Sequence, residues 1–257
     1  MFSFSTEITS SQITSDQPLF QRTLKAYHLI AEKIHGNVLE IGCGEGYGLD
    51  LILKKAKNIT VIDKSKYVLD KIKYRHPKTT ILHQNIPPLS NLKDNSFDVV
   101  ISFQVIEHIK DVNLFINEIH RVLKPNGKAY ITTPNAKKSI ARNPWHVKEY
   151  KYSELNDLIK KKFIKYTIEG IQGNKKTDQY YFKNEQSVKR IMRFDIFNIQ
   201  YKLPKTLLKI PYEIANRMNR ITLLNKNREL VNNIKLEDYS LQKYSKDTLD
   251  FFCILTK

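Results

Sequence analysis

Cysteine is nearly absent from this chain, and acid is scarce relative to base. The two cysteines, at 43 and 253, fit neither a metal-ligand spacing nor a disulfide framework. Both read as small buried residues, and a reducing cytoplasm is the expected setting. No apolar run approaches the ~18–20 residues that a membrane-spanning helix needs. Residues 1–15 are rich in Ser and Thr and lack a basic stretch followed by an apolar one, so they do not read as a secretory signal. Acids number 26 against 43 lysines and arginines, a net charge of +17. An anionic partner such as nucleic acid, acidic lipid or a phosphorylated substrate would suit that charge. Lysine outnumbers arginine 34 to 9, however, and arginine is the usual residue for bidentate phosphate recognition. The excess is therefore read first as composition. Hydrophobic content of 41% over 257 residues is ample for one α/β domain with a sizeable insertion.

Glycine is sparse as well, and four of the eight fall between 42 and 48. They belong to the run Val38-Leu39-Glu40-Ile41-Gly42-Cys43-Gly44-Glu45-Gly46-Tyr47-Gly48. An apolar stretch of β character ends in an acid, a glycine-rich turn comes next, and 49–56 is helix-like. A second apolar run, 59–62, ends at Asp63. This is the layout of a nucleotide-binding βαβ unit. The glycines are spaced G-x-G-x-G, whereas a dinucleotide fingerprint is G-x-G-x-x-G, and its last glycine position here holds Tyr47. That argues against a pyrophosphate and for a ligand whose ribose and amino-acid tail lie over the turn.

The remaining pattern alternates. A helix is expected over 18–34. Strands are expected at about 37–41, 59–63, 78–82, 97–102 and 127–133, with helices at about 46–56, 65–74 and 111–123. Such alternation implies a parallel sheet with helices on both faces. A further helix is expected over 152–162 and strands over 163–171 and 248–256. Between those last two strands lie residues 174–246, too long for a hairpin connection. Their apolar spacing is helical over 185–197 and 206–221, with Pro204 and Pro211 as breaks or helix starts. They hold 16 basic and 7 acidic residues. Basic residues beside Phe, Leu and Tyr suit a lid over the substrate, and they also suit an interfacial helix in peripheral contact with an acidic membrane.

Several blocks resemble the class I S-adenosyl-L-methionine-dependent methyltransferases. Glu40-Ile41-Gly42-Cys43-Gly44-Glu45-Gly46 resembles that family's first motif. Asp63, with Lys64 beside it, stands where an acid binds the ribose hydroxyls, and Asn85-Ile86 where residues flank the adenine. Phe97-Asp98-Val99-Val100-Ile101-Ser102 with Val105-Ile106-Glu107-His108-Ile109 matches strand four and the helix after it. Arg121-Val122-Leu123-Lys124-Pro125-Asn126-Gly127-Lys128 matches the turn into strand five. The blocks keep family order and cover about 37–135. The resemblance implies a Rossmann-like, seven-stranded, mostly parallel sheet whose last strand is antiparallel, with a helical insertion. The divisions are 1–36, an N-terminal helical segment; 37–173, the cofactor-binding core; 174–246, a basic helical lid or cap; and 247–257, the final strand.

The resemblance also implies the cofactor, S-adenosyl-L-methionine. Its expected contacts are Glu40, Gly42, Cys43, Gly44, Gly46, Asp63, Lys64, Asn85 and Ile86, with Phe103 and Gln104 lining the floor. Methyl transfer asks the protein mainly for positioning and, with a hydroxyl acceptor, for removal of a proton. His108, just past strand four, is one candidate base, although a Glu-His pair there also suits a structural role. His146 is the other, with Glu149 to orient it and Trp145 to stack on a ring or cover the sulfonium. The run 143–150 resembles a subgroup found with glycan, polysaccharide and lipid biosynthesis enzymes. It implies O-methylation of a glycan or lipid-linked intermediate; the cysteine usage and the basic insertion separately suggest a cytoplasmic enzyme that can sit peripherally at the inner membrane surface. Quinone-like or other apolar small molecules, and tRNA or rRNA, are the rival acceptors, nucleic acid being less favoured. A cofactor-free methyltransferase-like binding subunit is the rival of a different class. No Asp/His cluster has metal-ligand spacing, so no metal is expected.

Overall fold

The computed structural model describes residues 9–193 and 199–257, with the side chain of Ile199 excepted. Eight strands form one sheet in the order β3-β2-β1-β4-β5-β8-β6-β7. They are β1 Asn37–Ile41, β2 Asn58–Asp63, β3 Thr80–His83, β4 Phe97–Phe103, β5 Leu123–Pro134, β6 Lys165–Gly173, β7 Tyr239–Lys243 and β8 Asp250–Thr256. The first five run parallel, β8 pairs antiparallel with both β5 and β6, and β7 pairs antiparallel with β6. The Rossmann-like expectation holds, with one strand more than expected. That strand, β7, closes the stretch read as wholly helical. It is short and lies at the sheet edge, so its pattern is only Tyr239 and Leu241 among polar residues, too brief to outweigh the helical spacing before it.

The helices are α1 Gln17–Ile30, α2 Leu49–Ile52, α3 Lys66–Arg75, α4 Val112–Val122, α5 Tyr152–Ile159, α6 Lys175–Met192, α7 Ile199–Lys202, α8 Lys205–Lys226 and α9 Arg228–Asn233. Helix starts obey their caps: Ser65, Asp111 and Asn174 side chains accept the N–H groups of Val68, Leu114 and Lys176, satisfying donors the helix leaves orphaned. α2 starts later than expected because Gly46 has φ +73°, outside the helical region, and it ends at Ile52. Pro211 lies inside α8 rather than breaking it. The end of the helix expected over 185–197, and residues 1–8 of the Ser/Thr-rich start, lie outside the described residues.

Both faces of the sheet are covered. α4 and α5 cover one, where Phe115, Ile119, Leu155 and Ile159 meet Phe251, Cys253 and Leu255. α1, α3 and the insertion cover the other, where Ile30, Ile72, Tyr180 and Leu223 meet Phe252. Burial on both faces explains the near-continuous apolar runs of β1, β4 and β8. The N-terminal segment and the insertion also meet each other. Asp16, fully buried, receives Arg217 at 2.8 Å and Arg220 at 3.0 Å, and the Tyr239 hydroxyl donates to the Pro18 carbonyl at 2.8 Å.

Candidate active site

Because β1, β2, β4 and β5 are parallel, their carboxyl ends open on one edge of the sheet, where α/β sheets form ligand crevices. One half of the crevice is made of backbone. β1 delivers Glu40, and the chain then turns through Gly42, Gly44 and Gly46 at φ of +72°, +48° and +73°, a conformation that disfavours any residue with a Cβ. At Gly42 a Cβ would also collide with the Val105 side chain, so the turn is pressed against the chain beyond β4. Gly44 N–H donates to Asp63 Oδ2 at 3.2 Å and Ser65 N–H to Asp63 Oδ1 at 2.8 Å. These bonds fix the carboxylate at the end of β2 and tie it to the turn.

Glu40 is 1% exposed. Tyr27 of α1 donates its hydroxyl to Glu40 Oε1 at 2.7 Å, whereas Oε2 is buried without a hydrogen-bond partner. Burial pushes the Glu40 carboxyl up to about 7; the Tyr27 bond opposes the rise and the nearby Asp63 charge adds to it. A buried carboxylate oxygen with bonding capacity to spare, beside a turn of left-handed glycines, fits a ligand that brings a cation or an N–H group.

The other half is made of side chains. Thr133, at the end of β5, donates its hydroxyl to Glu107 Oε2 at 2.9 Å. The Glu107 carbonyl accepts Val147 N–H at 2.7 Å and Lys148 N–H at 3.1 Å. The loop after β5 thereby folds over the single turn Ile106–His108 beyond β4. This brings the His108 and His146 rings edge to face, with centroids 4.9 Å apart. His146 Nδ1 lies 2.6 Å from Glu149 Oε1 and Nε2 lies 2.9 Å from Asn143 Nδ2. One tautomer satisfies both contacts: Nδ1–H donates to the carboxylate, and Nε2 accepts from the amide. His108 Nδ1, 3.0 Å from the Trp145 carbonyl, is also a donor. Burial works to raise the Glu149 carboxyl, but the bonds from His146 and Ser139 outweigh it and hold it below the usual range. Glu107, 1% exposed, is pushed up by burial to about 7 against the opposing pull of His146.

α8 fastens this loop from outside. Lys205 Nζ donates to the carbonyls of His146 at 2.6 Å and Val147 at 3.0 Å. Trp145 Nε1 donates to Glu213 Oε1 at 2.5 Å, and Lys209 Nζ stands 3.8 Å from the Trp145 ring centroid, a cation–π contact. One face of the tryptophan expected to meet a ligand is therefore taken by the insertion.

The fold thus unites Glu40, the glycines and Asp63 in one group and His108, His146 and Glu149 in another. Cys43 is buried in the turn and burial pushes its thiol far up, which makes it a packing residue and a poor nucleophile. Lys64 comes directly after Asp63, and its carbonyl lies 3.0 Å from His83 Nε2. Asn85 is exposed two residues past β3, and Ile86 packs against the core face that holds Ile41 and Ile62. Phe103 is buried between Tyr27 and Phe252, and Gln104, at φ +58°, donates its amide to Thr132 at 3.2 Å. Sequence reasoning missed Tyr27, Asn143, Ser139 and the clamp from α8. The only signal in the sequence was Asn143 three residues before His146. It also found no metal-ligand spacing, because Glu107 and His108 meet His146 only in the fold. One ligand atom from each lies within 4.8 Å of the others, and both imidazoles engage an acceptor through Nδ1, as metal-ligating histidines do, so these three side chains could hold a cation.

Residues 39–131 match the family described as "Methyltransferase domain". The matched segment runs from β1 into β5. A Mycolicibacterium smegmatis protein named "Probable S-adenosylmethionine-dependent methyltransferase" is 36% identical over 159 residues, 60% of this chain and 62% of its own. The chain thus spans about three fifths of that relative's length. A Pelagibacter ubique "Ubiquinone biosynthesis O-methyltransferase" is 28% identical over 177 residues, 61% of this chain and 73% of its own. Among solved structures, an S-adenosylmethionine-dependent methyltransferase from Mesorhizobium loti superposes with a TM-score of 0.55 at 13% identity, over 92% of this chain and 98% of its own, which establishes the fold.

Proposed function

We propose that this protein is an S-adenosylmethionine-dependent methyltransferase that methylates a hydroxyl oxygen, on a glycan or lipid-linked intermediate. The observation that carries the hydroxyl is the His146–Glu149 pair at 2.6 Å, held at the sheet edge where the cofactor crevice opens. Glu40 and the glycine turn would take the cofactor's amino-acid end, Asp63 its ribose, and Asn85 and Ile86 its adenine. The bound cofactor supplies an electrophilic methyl group. His146 Nε2 accepts the acceptor's hydroxyl proton once the Asn143 amide gives up that position. Glu149 keeps the imidazole in the competent tautomer and stabilises the imidazolium that results. His108 braces the His146 ring edge to face.

The run 143–150 supports the glycan or lipid-linked acceptor. The quinone-like alternative draws support from the 28% identity with the Pelagibacter protein. Nucleic acid is the weaker fit, since Arg217 and Arg220 turn inward to Asp16 rather than toward a phosphate backbone. The test is calorimetric titration with S-adenosylhomocysteine, then methyl-transfer assays on hydroxylated glycan, lipid-linked sugar and phenolic acceptors. Micromolar one-to-one binding with transfer to a sugar hydroxyl supports the proposal. Binding with transfer only to phenols moves the acceptor to the quinone-like class. Absence of binding at high ligand concentration favours a cofactor-free binding subunit.

A further inference from the structure

α8 is amphipathic in the reverse of the usual sense. Its charged residues Lys205, Lys209, Glu213, Arg217 and Arg220 turn inward, to the His146 and Val147 carbonyls, Trp145 and Asp16. Its outward face is apolar: Leu207 is 62% exposed, Ile210 72%, Ile214 56%, Met218 63% and Ile221 44%, with Leu203 just before the helix at 39%. These six succeed one another at intervals of three or four. At ~100° per residue the five within the helix occupy an arc of about 80°, and at 1.5 Å per residue a strip about 21 Å long. A surface helix ordinarily shows the opposite arrangement, and a continuous exposed apolar strip marks an interaction site.

The rim of this strip is basic. Lys202 stands at one end and Lys226 and Arg228 at the other, all exposed, and α6 adds exposed Arg190, with Arg193 just beyond it. Between 199 and 228 the one acid, Glu213, is bonded to Trp145. Beside the strip, α6 and α8 enclose a groove of about 590 Å³ whose lining includes Lys183, Arg190, Ile191, Met218 and Lys226. No helix among the described residues is long and apolar enough to cross a membrane.

We infer that the outward face of α8 docks the protein on an anionic lipid bilayer, with the apolar strip in the interface and the basic rim against the headgroups. Charge decides the occupant. A second copy of this chain, with a net charge of +17, would set two basic rims against each other, whereas an acidic lipid surface complements the rim and accepts the strip. The face lies outside the candidate active site, so this inference stands or falls apart from the proposed reaction.

The experiment is flotation of the full-length protein with vesicles of phosphatidylcholine alone and of phosphatidylcholine mixed with phosphatidylglycerol. Binding to the mixed vesicles, weakened by salt and weak to neutral ones, is expected. Joint substitution Ile210→Asp and Ile214→Asp should lower it by about tenfold or more. Joint reversal Arg190→Glu and Lys226→Glu should also lower it, leaving less dependence on salt. All four side chains are exposed, so circular dichroism and S-adenosylhomocysteine affinity should match the parent protein. Absence of binding to mixed vesicles, equal binding to neutral ones, or indifference to the Ile210 and Ile214 changes overturns the inference. So does a dimer in sedimentation that those changes dissociate in the absence of vesicle binding.

Discussion

The half of the crevice proposed for the cofactor is built largely from backbone, and the half proposed for the acceptor from side chains. In the first, three left-handed glycines and two carboxylates, Glu40 and Asp63, come from β1, β2 and the turn between them. In the second, Glu107 stands on the turn after β4 and His146 and Glu149 on the loop after β5, and contacts with β5 and α8 hold the two segments together. A site made of backbone is positioned by local conformation, and a site made of side chains by whatever packs behind it. Substitutions should therefore separate the halves.

The sharpest separation is expected at His146. His146→Ala should lower turnover by roughly 10²–10⁴-fold, the usual contribution of a general base, and leave S-adenosylhomocysteine affinity near the parent value by calorimetry. Loss of cofactor affinity with turnover otherwise intact would assign His146 to the cofactor half and sink its role as base.

A smaller effect, on stability, comes from the support behind the acceptor half. Asp16 is fully buried between Arg217 and Arg220. Asp16→Ala would leave two buried cations without their anion, a change that costs about 3–5 kcal/mol where an ion pair is buried. Urea denaturation should show that loss, and hydrogen exchange should show α8 loosening more than β1 and β2. Uniform loosening throughout the sheet would mean that the two halves share one support.

Asp63→Ala tests the opposite side. The lost hydrogen bonds to a charged group should weaken S-adenosylhomocysteine binding by on the order of 1–3 kcal/mol. Unchanged affinity would leave Asp63 as a brace for Gly44 and Ser65 and remove it from ribose binding.

The same division governs how much could be read from the sequence. The glycine turn and the strand–helix alternation over 37–135 were legible because each depends on neighbours: glycine where φ is positive, apolar runs where a parallel strand is buried on both faces. The pairing of His146 with Glu149 was legible too, since three residues separate them. The features that could not be read depend on distant partners. Tyr27 looks like any core aromatic until its hydroxyl is seen on Glu40. The inward turn of the charges of α8 is invisible in a periodicity that reports only which residues share a face. A basic helix with an apolar stripe would be assigned stripe-in, and here the stripe faces out.

Two buried acids give the finest version of the comparison. Glu40 and Glu107 are each pushed to about 7 by burial, one in each half. A carboxyl raised from its ordinary range binds its proton more tightly in the folded state than in the unfolded one. Its contribution to stability is therefore full below about pH 4.5 and lost as pH rises through 7, at about 1.4 kcal/mol per pH unit for each titrating group. Stability of the ligand-free protein should fall over that window, and Glu40→Gln or Glu107→Gln should each flatten the fall. Ligand binding then tells them apart. Glu40 Oε2 is unpartnered whereas Glu107 Oε2 accepts from Thr133, so a cationic amino group arriving at Glu40 should drive off its proton. Affinity for S-adenosylhomocysteine should rise with pH up to about 7 and level off above it, with about half a proton released near pH 7 and more at lower pH. The release is measured by calorimetry in buffers of different ionisation heat. Glu40→Gln should abolish it and Glu107→Gln should leave it in place. If Glu107→Gln abolished it instead, the ligand's charge would lie in the acceptor half, and the two halves of the crevice would have to be exchanged.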